Sequence, residues 1–158
     1  MEDYYRIKAE VVTRKHVQRV SELLGKCAAD LVDRGANHDN TKYDDPELGA
    51  LAIMQEQVDQ KGYAPYNSPE YMERMLILTP MLEHHYANNR HHPEHFPNGV
   101  NDMTLFDIVE MFVDWKAASE RGGDSLMRIS HATKRYGIDS QLAAILYNTA
   151  NYMNFDAE

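Results

Sequence analysis

Five of the chain's eight histidines lie in one run of twelve residues, 84–95, which reads HHYANNRHHPEH. Imidazole is the commonest metal ligand in proteins, because one ring nitrogen can bind an ion while the other bonds a neighbouring group. A surface histidine patch is the simpler alternative. An expression tag does not fit, since the run is internal and is interrupted by Tyr, Asn, Arg, Pro and Glu. We interpret the run as a metal or phosphate site around which the fold is organised.

The remaining sequence is typical of a helical protein. The whole chain of 158 residues fits one domain, and 43% of its residues are hydrophobic, which is enough for a core. Apolar residues recur at spacings of three and four in several segments, and no segment shows the alternation typical of a strand. The sequence therefore predicts an all-α fold: a single compact domain over 1–158, built as a bundle of about six helices.

Helix signals place the first three helices. The first is expected from 14 to 34, capped by Thr13, with residues 1–12 as a mixed lead-in. Cap-then-proline pairs predict helix starts at Pro46 and at Pro69. Pro80 is expected to kink or break the third helix, just before the histidine run.

The fourth helix is expected from Leu105 to Arg121, opened by a capping box of Thr104 and Asp107. It is apolar almost all round, so it should be central, and its main apolar face is formed by Leu105, Ile108, Val109 and Phe112. Asp107, Glu110 and Asp114 gather on a narrow stripe of this helix. A solvated acidic face is the usual explanation, but acids on a central helix usually face a partner, a metal or a cavity.

Two shorter helices should follow. Asp124 or Ser125 is expected to cap the fifth helix, which Gly137 ends. Asp139 is expected to cap the sixth, and the tail, 154–158, is expected to fray.

Another candidate donor pair precedes the histidine run. His38 and Asp39 form a doublet that presents a nitrogen and an oxygen donor together, with Lys42 three residues after the acid. A doublet alone is weak evidence, because Asp39 at a turn can simply cap the next element. It gains weight from His16, 22 residues upstream at the edge of a helical apolar face, although a lone histidine there is more often a core residue.

Charge and motifs exclude several classes of protein. The net charge of −9 argues against a protein that binds duplex nucleic acid, which needs a basic surface. No phosphate-cradling glycine loop is present. No apolar run approaches the ~20 residues of a membrane span. The single cysteine cannot form an internal disulfide, so a cytoplasmic location is the simplest expectation.

The ordered set of His16, the His38-Asp39 doublet, the histidine run and Asp114 resembles the HD-domain superfamily of metal-dependent phosphohydrolases, which is all-helical. The strings HDNTKY, HHYANNRHHPEHF and DMTLFDIVEMFVDWKAASER are more closely similar to a family of small phage and bacterial proteins known only as an HD-like domain of unknown function. That closer resemblance covers nearly the whole chain.

The resemblance implies roles for individual residues. It implies metal ligands at His16, His38, Asp39 and Asp114. Further ligands are His84 or His85 together with one of His91, His92 and His95, and His84, His85 and His92 are the candidates chosen. Lys42 is similar to a lysine that contacts phosphate in that superfamily, and Glu94 or Glu110 is a candidate proton shuttle. Asn88, Arg90, His91 and His95 are candidates for substrate binding. Mixed nitrogen and carboxylate donors favour Mn²⁺, Fe²⁺, Co²⁺, Ni²⁺ or Zn²⁺ over Mg²⁺, as one or two ions.

The expected activity is a phosphohydrolase that attacks a small nucleotide, most plausibly a nucleoside 5′-monophosphate, through a metal-activated water. Two alternatives stay open: a di-iron oxygenase of HD type, and a non-catalytic phage protein that binds a nucleotide. A bacterial or phage-infected cell is the expected setting. The tyrosine and methionine content leaves a homodimer open.

Overall fold

The computed structural model describes residues 2–65, 68–121 and 125–158. These residues form six α-helices: α1 Glu2–Asn37, α2 Glu47–Lys61, α3 Pro69–Asn88, α4 Leu105–Arg121, α5 Ile129–Tyr136 and α6 Ser140–Tyr152. Three short 3₁₀ helices lie at Asn40–Tyr43, Pro93–His95 and Gly99–Asp102. Within the described residues the only extended pairing is an isolated bridge between Met127 and Ala157. The predicted all-α class is confirmed. None of the described helices combines the length and the apolar character needed to cross a membrane.

The chain divides into two compact units, 1–37 and 38–158. The first unit contains α1, which begins at Glu2 and not near residue 14 as expected. The segment before Thr13 holds no glycine or proline, and an ion pair between Arg14 and Glu10 spans the expected start with a 2.6 Å separation. Such pairs, four residues apart, favour a continuous helix. The expectation of one domain over 1–158 stays a prediction.

The core of the 38–158 unit lies where α4, α5 and α6 meet. Its buried members are Phe112, Met127, Ile129, Ile138, Leu146 and Ala150. Local signals place the helix ends around it. Gly137 follows α5 in the left-handed region, with φ of 62°, and Asp139 caps α6 by accepting a 2.8 Å hydrogen bond from the backbone N–H of Leu142. Both predictions are confirmed. The expected cap of α5 at Ser125 is wrong, because the N-cap of this helix is Arg128, and the other candidate cap, Asp124, lies outside the described residues.

The C-terminal tail is attached to the core and is not frayed as expected. The backbone N–H of Met127 donates to the carbonyl of Asp156 at 2.8 Å, and the N–H of Glu158 donates to the carbonyl of Met127 at 3.0 Å. Phe155 stacks on Phe112 with 6.0 Å between ring centroids. Satisfied backbone groups and a packed aromatic ring hold this segment, which the polar sequence of the tail alone does not suggest.

Helix α3 carries the start of the histidine run. Its N-cap Ser68 accepts a 3.1 Å hydrogen bond from the N–H of Tyr71, and Pro69 follows at the first helical position, as predicted. The expected break at Pro80 does not occur, since α3 continues to Asn88. Pro80 and Leu76 are both exposed, so water can reach the Leu76 carbonyl, which lacks its helical N–H partner at Pro80. The continuation places His84 and His85 in the last turn of α3.

Candidate metal centre

Four side chains of the 38–158 unit direct donor atoms toward one point: Asp39, His85, His91 and His92. One ligand atom from each lies within 4.8 Å of the others. His85 Nε2 lies 2.9 Å from His92 Nε2 and 3.3 Å from Asp39 Oδ1. His91 Nε2 lies 3.4 Å from the same carboxylate oxygen. Three imidazole nitrogens and one carboxylate oxygen form a donor set that suits a divalent transition metal.

Two atoms of this group are buried and have no hydrogen-bond partner among the described residues: Asp39 Oδ1 and His91 Nε2. Buried polar atoms are almost always hydrogen-bonded, so such exceptions need an explanation. Two acceptors that face each other across 3.4 Å are explained by a cation between them. The residues present therefore fit a bound metal ion.

A second donor group adjoins the first. His38 Nε2 lies 3.4 Å from Asp39 Oδ2 and 3.6 Å from Asp114 Oδ1, and these three side chains also satisfy the geometry of a metal-binding group. Asp39 belongs to both groups and directs one oxygen toward each. A bridging carboxylate of this kind can serve one ion or two neighbouring ions.

Two further carboxylates lie behind the imidazoles. Glu47, which is fully buried, accepts from His84 Nδ1 at 2.7 Å and from His85 Nδ1 at 2.8 Å. Glu110 Oε1 lies 2.9 Å from His38 Nδ1 and 3.2 Å from His91 Nδ1. A carboxylate that accepts the Nδ1 proton fixes the tautomer and leaves the Nε2 lone pair for a metal. Glu47 and Glu110 therefore orient three of the four Nε2 atoms at the two groups that share Asp39. Glu110 also forms a third potential donor group with His38 and His91.

A turn after α1 positions the His38-Asp39 doublet. Asp39 has a left-handed backbone, with φ of 57°, directly before the 3₁₀ helix Asn40–Tyr43. Aspartate is among the few non-glycine residues that adopt this conformation readily. The backbone N–H of Lys42 donates to the Asp39 carbonyl at 2.9 Å, and the Lys42 ammonium donates to Asp39 Oδ2. The turn thus presents the Asp39 carboxylate beside a cation.

Asn89 joins this turn to the histidine run. It follows the last residue of α3, and its side-chain amide donates to Thr41 Oγ1 at 2.8 Å and to the His85 carbonyl at 2.9 Å. The chain then leaves the helix and places His91 and His92 in a loop before Pro93. Asn89 is a supporting residue that sequence reasoning missed, since asparagine at a helix end is ordinarily only a terminating residue.

The pKa values of the clustered side chains are shifted in different directions. Asp114 raises the pKa of His38 most, partial burial opposes it, and Glu110 and Asp39 raise it further, to about 9. Burial and, to a smaller extent, the neighbouring His91 and His85 lower the pKa of His92 to about 3. Burial alone would raise the pKa of Asp39, but the neighbouring His91 and the bond from Lys42 hold it well below the usual range. At neutral pH the metal-free site therefore holds an anionic Asp39, a protonated His38 and a neutral His92.

The candidates for substrate binding and proton transfer lie around this centre. Arg90 bonds Asp107 through two hydrogen bonds of 3.1 and 3.3 Å, and its guanidinium lies 4.8 Å from the Phe96 ring centroid. Glu94 pairs with Arg135 at 3.0 Å. His95 Nδ1 bonds the Tyr86 carbonyl at 2.8 Å, and Asn88 donates to the His84 carbonyl at 2.8 Å. Their roles in substrate binding and proton transfer stay predictions.

The structure brings together five of the seven predicted ligands: His38, Asp39, His85, His92 and Asp114. His91, expected to contact substrate, lies among the potential ligands, and Glu110, expected to shuttle protons, bonds two imidazoles. His84 contacts Glu47. His16 lies on α1 in the other unit, is exposed, and belongs to none of the donor groups found among the described residues. Glu47 was not anticipated, because an acid in the first turn of a helix has an ordinary explanation in the helix dipole.

Comparison with known proteins identifies a family but no activity. The model of a family of unknown function, DUF5662, matches residues 6–152. No curated protein and no solved structure matches the chain. Since the matched segment covers most of the sequence, the chain belongs to the DUF5662 family of unknown function.

Proposed function

We propose that the protein is a metal-dependent phosphohydrolase of HD type that acts on a small nucleotide. The observation that carries this proposal is the pair of buried, unpartnered atoms Asp39 Oδ1 and His91 Nε2 inside a group of four donors. A purely structural polar cluster would satisfy both atoms internally, because an unpaired buried acceptor destabilises the folded state.

The order and placement of the donors support the HD relationship. A histidine–aspartate doublet, then histidines, then an aspartate on a later helix contribute to two adjoining groups that share Asp39. Glu110 and Asp114 are four residues apart on α4, so one helix face supplies both an orienting carboxylate and a candidate ligand. The assignment to a nucleotide substrate rests on analogy with small HD domains.

Different residues of the chain can hold the metal ion, orient its ligands and contact the phosphate during phosphoester hydrolysis. When bound, a divalent ion supplies Lewis acidity and lowers the pKa of a coordinated water from 15.7 to about 7. The Nε2 atoms of His85 and His91 are held in place by Glu47 and Glu110. Lys42, paired with Asp39, adds positive charge at the edge of the donor groups, where a phosphoryl oxygen needs it.

The direct test combines metal content with turnover. Purified native protein and the Asp39→Asn variant are analysed for bound metals, then incubated with nucleoside monophosphates and cyclic nucleotides in Mn²⁺, Co²⁺ or Ni²⁺. We expect at least one equivalent of metal and phosphate release in the native protein, and loss of both in the variant. Asp102→Asn, at an exposed acid that bonds only Asn98 among the contacts described, is the matched control.

Three outcomes would contradict the proposal. Absence of metal after dialysis against each ion would remove its basis. Two irons per chain with an oxygen-dependent optical change would indicate an oxygenase instead. Metal-bound protein that retains every nucleotide intact would indicate a binding module.

A further inference from the structure

Helix α1 carries a stripe of residues, apolar except for one histidine, along most of its length. The stripe positions follow one another at spacings of four, three and four residues, so each position recurs eleven residues later. An eleven-residue repeat corresponds to 3.67 residues per turn and keeps one side of a long helix directed at a neighbouring helix. The stripe consists of Tyr5, Ala9, Val12, His16, Val20, Leu23, Cys27 and Leu31.

The stripe on α1 is open to solvent. Every member before Leu31 is exposed, including Val12 at 62% and Leu23 at 45%. Helices in proteins take most of their stability from packing of an apolar face, and large exposed apolar patches mark interaction surfaces. A stripe of this length and regularity therefore indicates a partner that is itself a long helix.

The two ends of the stripe complement each other in size. At one end the small Ala9 leaves an open hollow that Tyr5 and Val12 help to line, and at the other end stands the large Leu31. In an antiparallel pair of two α1 helices centred on Val20, the Leu31 side chain of one copy meets the hollow of the other. A parallel pair would set Ala9 against Ala9 and leave both hollows unfilled.

The same antiparallel register aligns the rest of the stripe. About a centre at Val20, Val12 of one helix lies level with Cys27 of the other, and His16 lies level with Leu23. The stripe of each copy thus faces the stripe of the other at every layer. Such knobs and holes along a shared seam are the packing unit of coiled coils.

The charge along α1 also favours an antiparallel pair. Residues 6–19 include five basic residues and one acidic residue, whereas residues 22–34 include three acidic and two basic residues. An antiparallel pair sets each segment beside the oppositely charged segment of the other copy, with Lys8 level with Asp30 and Asp33. A parallel pair would set the two basic segments side by side, which is unfavourable.

We propose that α1 is a dimerisation helix, which pairs antiparallel with α1 of a second copy of the chain. The twofold axis passes beside Val20, and the contact extends over about 39 Å from Tyr5 to Leu31 at 1.5 Å per residue. One surface pairs with itself, as a twofold interface requires. The interface involves none of the donor groups around Asp39, so it goes beyond the proposed phosphohydrolase function.

Sedimentation equilibrium and disulfide cross-linking of the full chain test this pairing together. We expect twice the 18.2 kDa mass of one chain. Val20→Cys combined with Cys27→Ser places one cysteine of each copy at the axis, and mild oxidation should link most chains in pairs. The native chain, whose single cysteine is Cys27, should stay unlinked, because the two Cys27 positions are about 21 Å apart along an antiparallel pair.

Val20→Glu sets two like charges against each other at the axis and should weaken dimerisation by at least about 100-fold. Val32→Glu is the matched control, because Val32 is a 70% exposed valine of the same helix that lies outside the stripe. Circular dichroism should be native for both variants. Metal content measured beside it should also equal that of the native chain, since neither residue belongs to a donor group.

A mass of 18.2 kDa at every concentration up to millimolar would overturn the proposal and would indicate that the stripe is covered within one chain. A dimer that tolerates Val20→Glu as well as Val32→Glu would place the interface elsewhere. Cross-linking of the native chain through Cys27 as efficient as through Val20→Cys would show a parallel pair and refute the antiparallel one. None of these results depends on whether the protein binds metal or hydrolyses phosphoesters.

Discussion

Glu47 offers the sharpest test of the metal centre, because it contacts two histidines and belongs to none of the donor groups. Burial alone would raise its pKa, but hydrogen bonds from His84, Thr41 and His85 lower it, so the group is anionic at neutral pH. In Glu47→Gln the side chain keeps its shape and loses the charge. One imidazole keeps a carbonyl acceptor, while the other faces an amide N–H and loses its own acceptor.

The size of the effect follows from what Glu47 does to His85. Its carboxylate fixes the His85 ring with Nε2 directed at Asp39 Oδ1, 3.3 Å away. Removal of such a supporting carboxylate typically weakens metal affinity about 10- to 100-fold. That corresponds to about 1.4–2.8 kcal/mol of binding free energy. We expect a loss in this range, with every potential ligand still present.

Competition against a chromophoric chelator with Zn²⁺ or Co²⁺ measures this loss. Glu56→Gln is the matched control: Glu56 lies on the same helix, is exposed, and accepts only a 2.9 Å hydrogen bond from Gln60 among the contacts described. Circular dichroism and urea unfolding of the metal-free variants separate affinity from folding. Native affinity in a folded Glu47→Gln protein would refute the role assigned to this carboxylate.

Further predictions concern protonation, ligand choice and stability. The pKa of His38 is about 9, and a bound ion displaces the His38 proton. Metal affinity should therefore rise about tenfold per pH unit below pH 9 and level off above it. Calorimetry in two buffers at pH 7.5 should show about one proton released per ion. His91→Asn should weaken metal binding by more than about 100-fold, beyond the loss typical of supporting residues, while His95→Asn should leave equilibrium dialysis results unchanged. Asp107→Ala should lower the free energy of unfolding in urea by about 2–4 kcal/mol, since the buried carboxylate accepts from Thr104 and Arg90, and a comparable loss in the exposed Asp102→Ala would contradict this.

Local sequence signals were sufficient to predict the all-α class and the positions of several helix ends. The predicted bounds of α4, Leu105 to Arg121, are those observed, and the caps at Ser68 and Asp139 form as expected. Each of these features depends on residues within one turn of each other, which is the range over which capping acts. The expected start of the first helix near residue 14 was wrong, because no glycine or proline in residues 2–12 stops the helix, and the expected break at Pro80 did not occur where the proline faces solvent.

Packing within α4 was harder to predict. Phe112 is buried, as expected of a member of the main apolar face. Leu105 and Val109 belonged to the same face, yet they are 75% and 40% exposed, while Met111, outside that face, is buried. A helix that is apolar on every side gives no periodic signal for which side meets the core. Only contacts with distant segments, here α6 and the tail, select the buried face.

The donor side chains could be found from sequence, but their arrangement could not. The resemblance to HD domains singled out His38, Asp39 and Asp114, which the structure groups together. Nothing in the sequence distinguishes His91 from His92 and His95, because the loop path after Asn89 decides which ring turns inward. Glu47 reaches His85 across 38 positions of sequence, a separation at which no local pattern operates.

One carboxylate oxygen of Glu110 orients two imidazole rings that belong to different segments of the chain. His38 comes from the turn after α1 and His91 from the loop after α3, yet both direct Nδ1 at Glu110 Oε1, at 2.9 and 3.2 Å. Rotation of this one side chain would remove the orienting contact of both rings at once. The centre should therefore assemble and come apart as a unit. Glu110→Ala removes the support of two rings, so it is expected to weaken metal binding more than Glu47→Gln does, and to release His38 and His91 together.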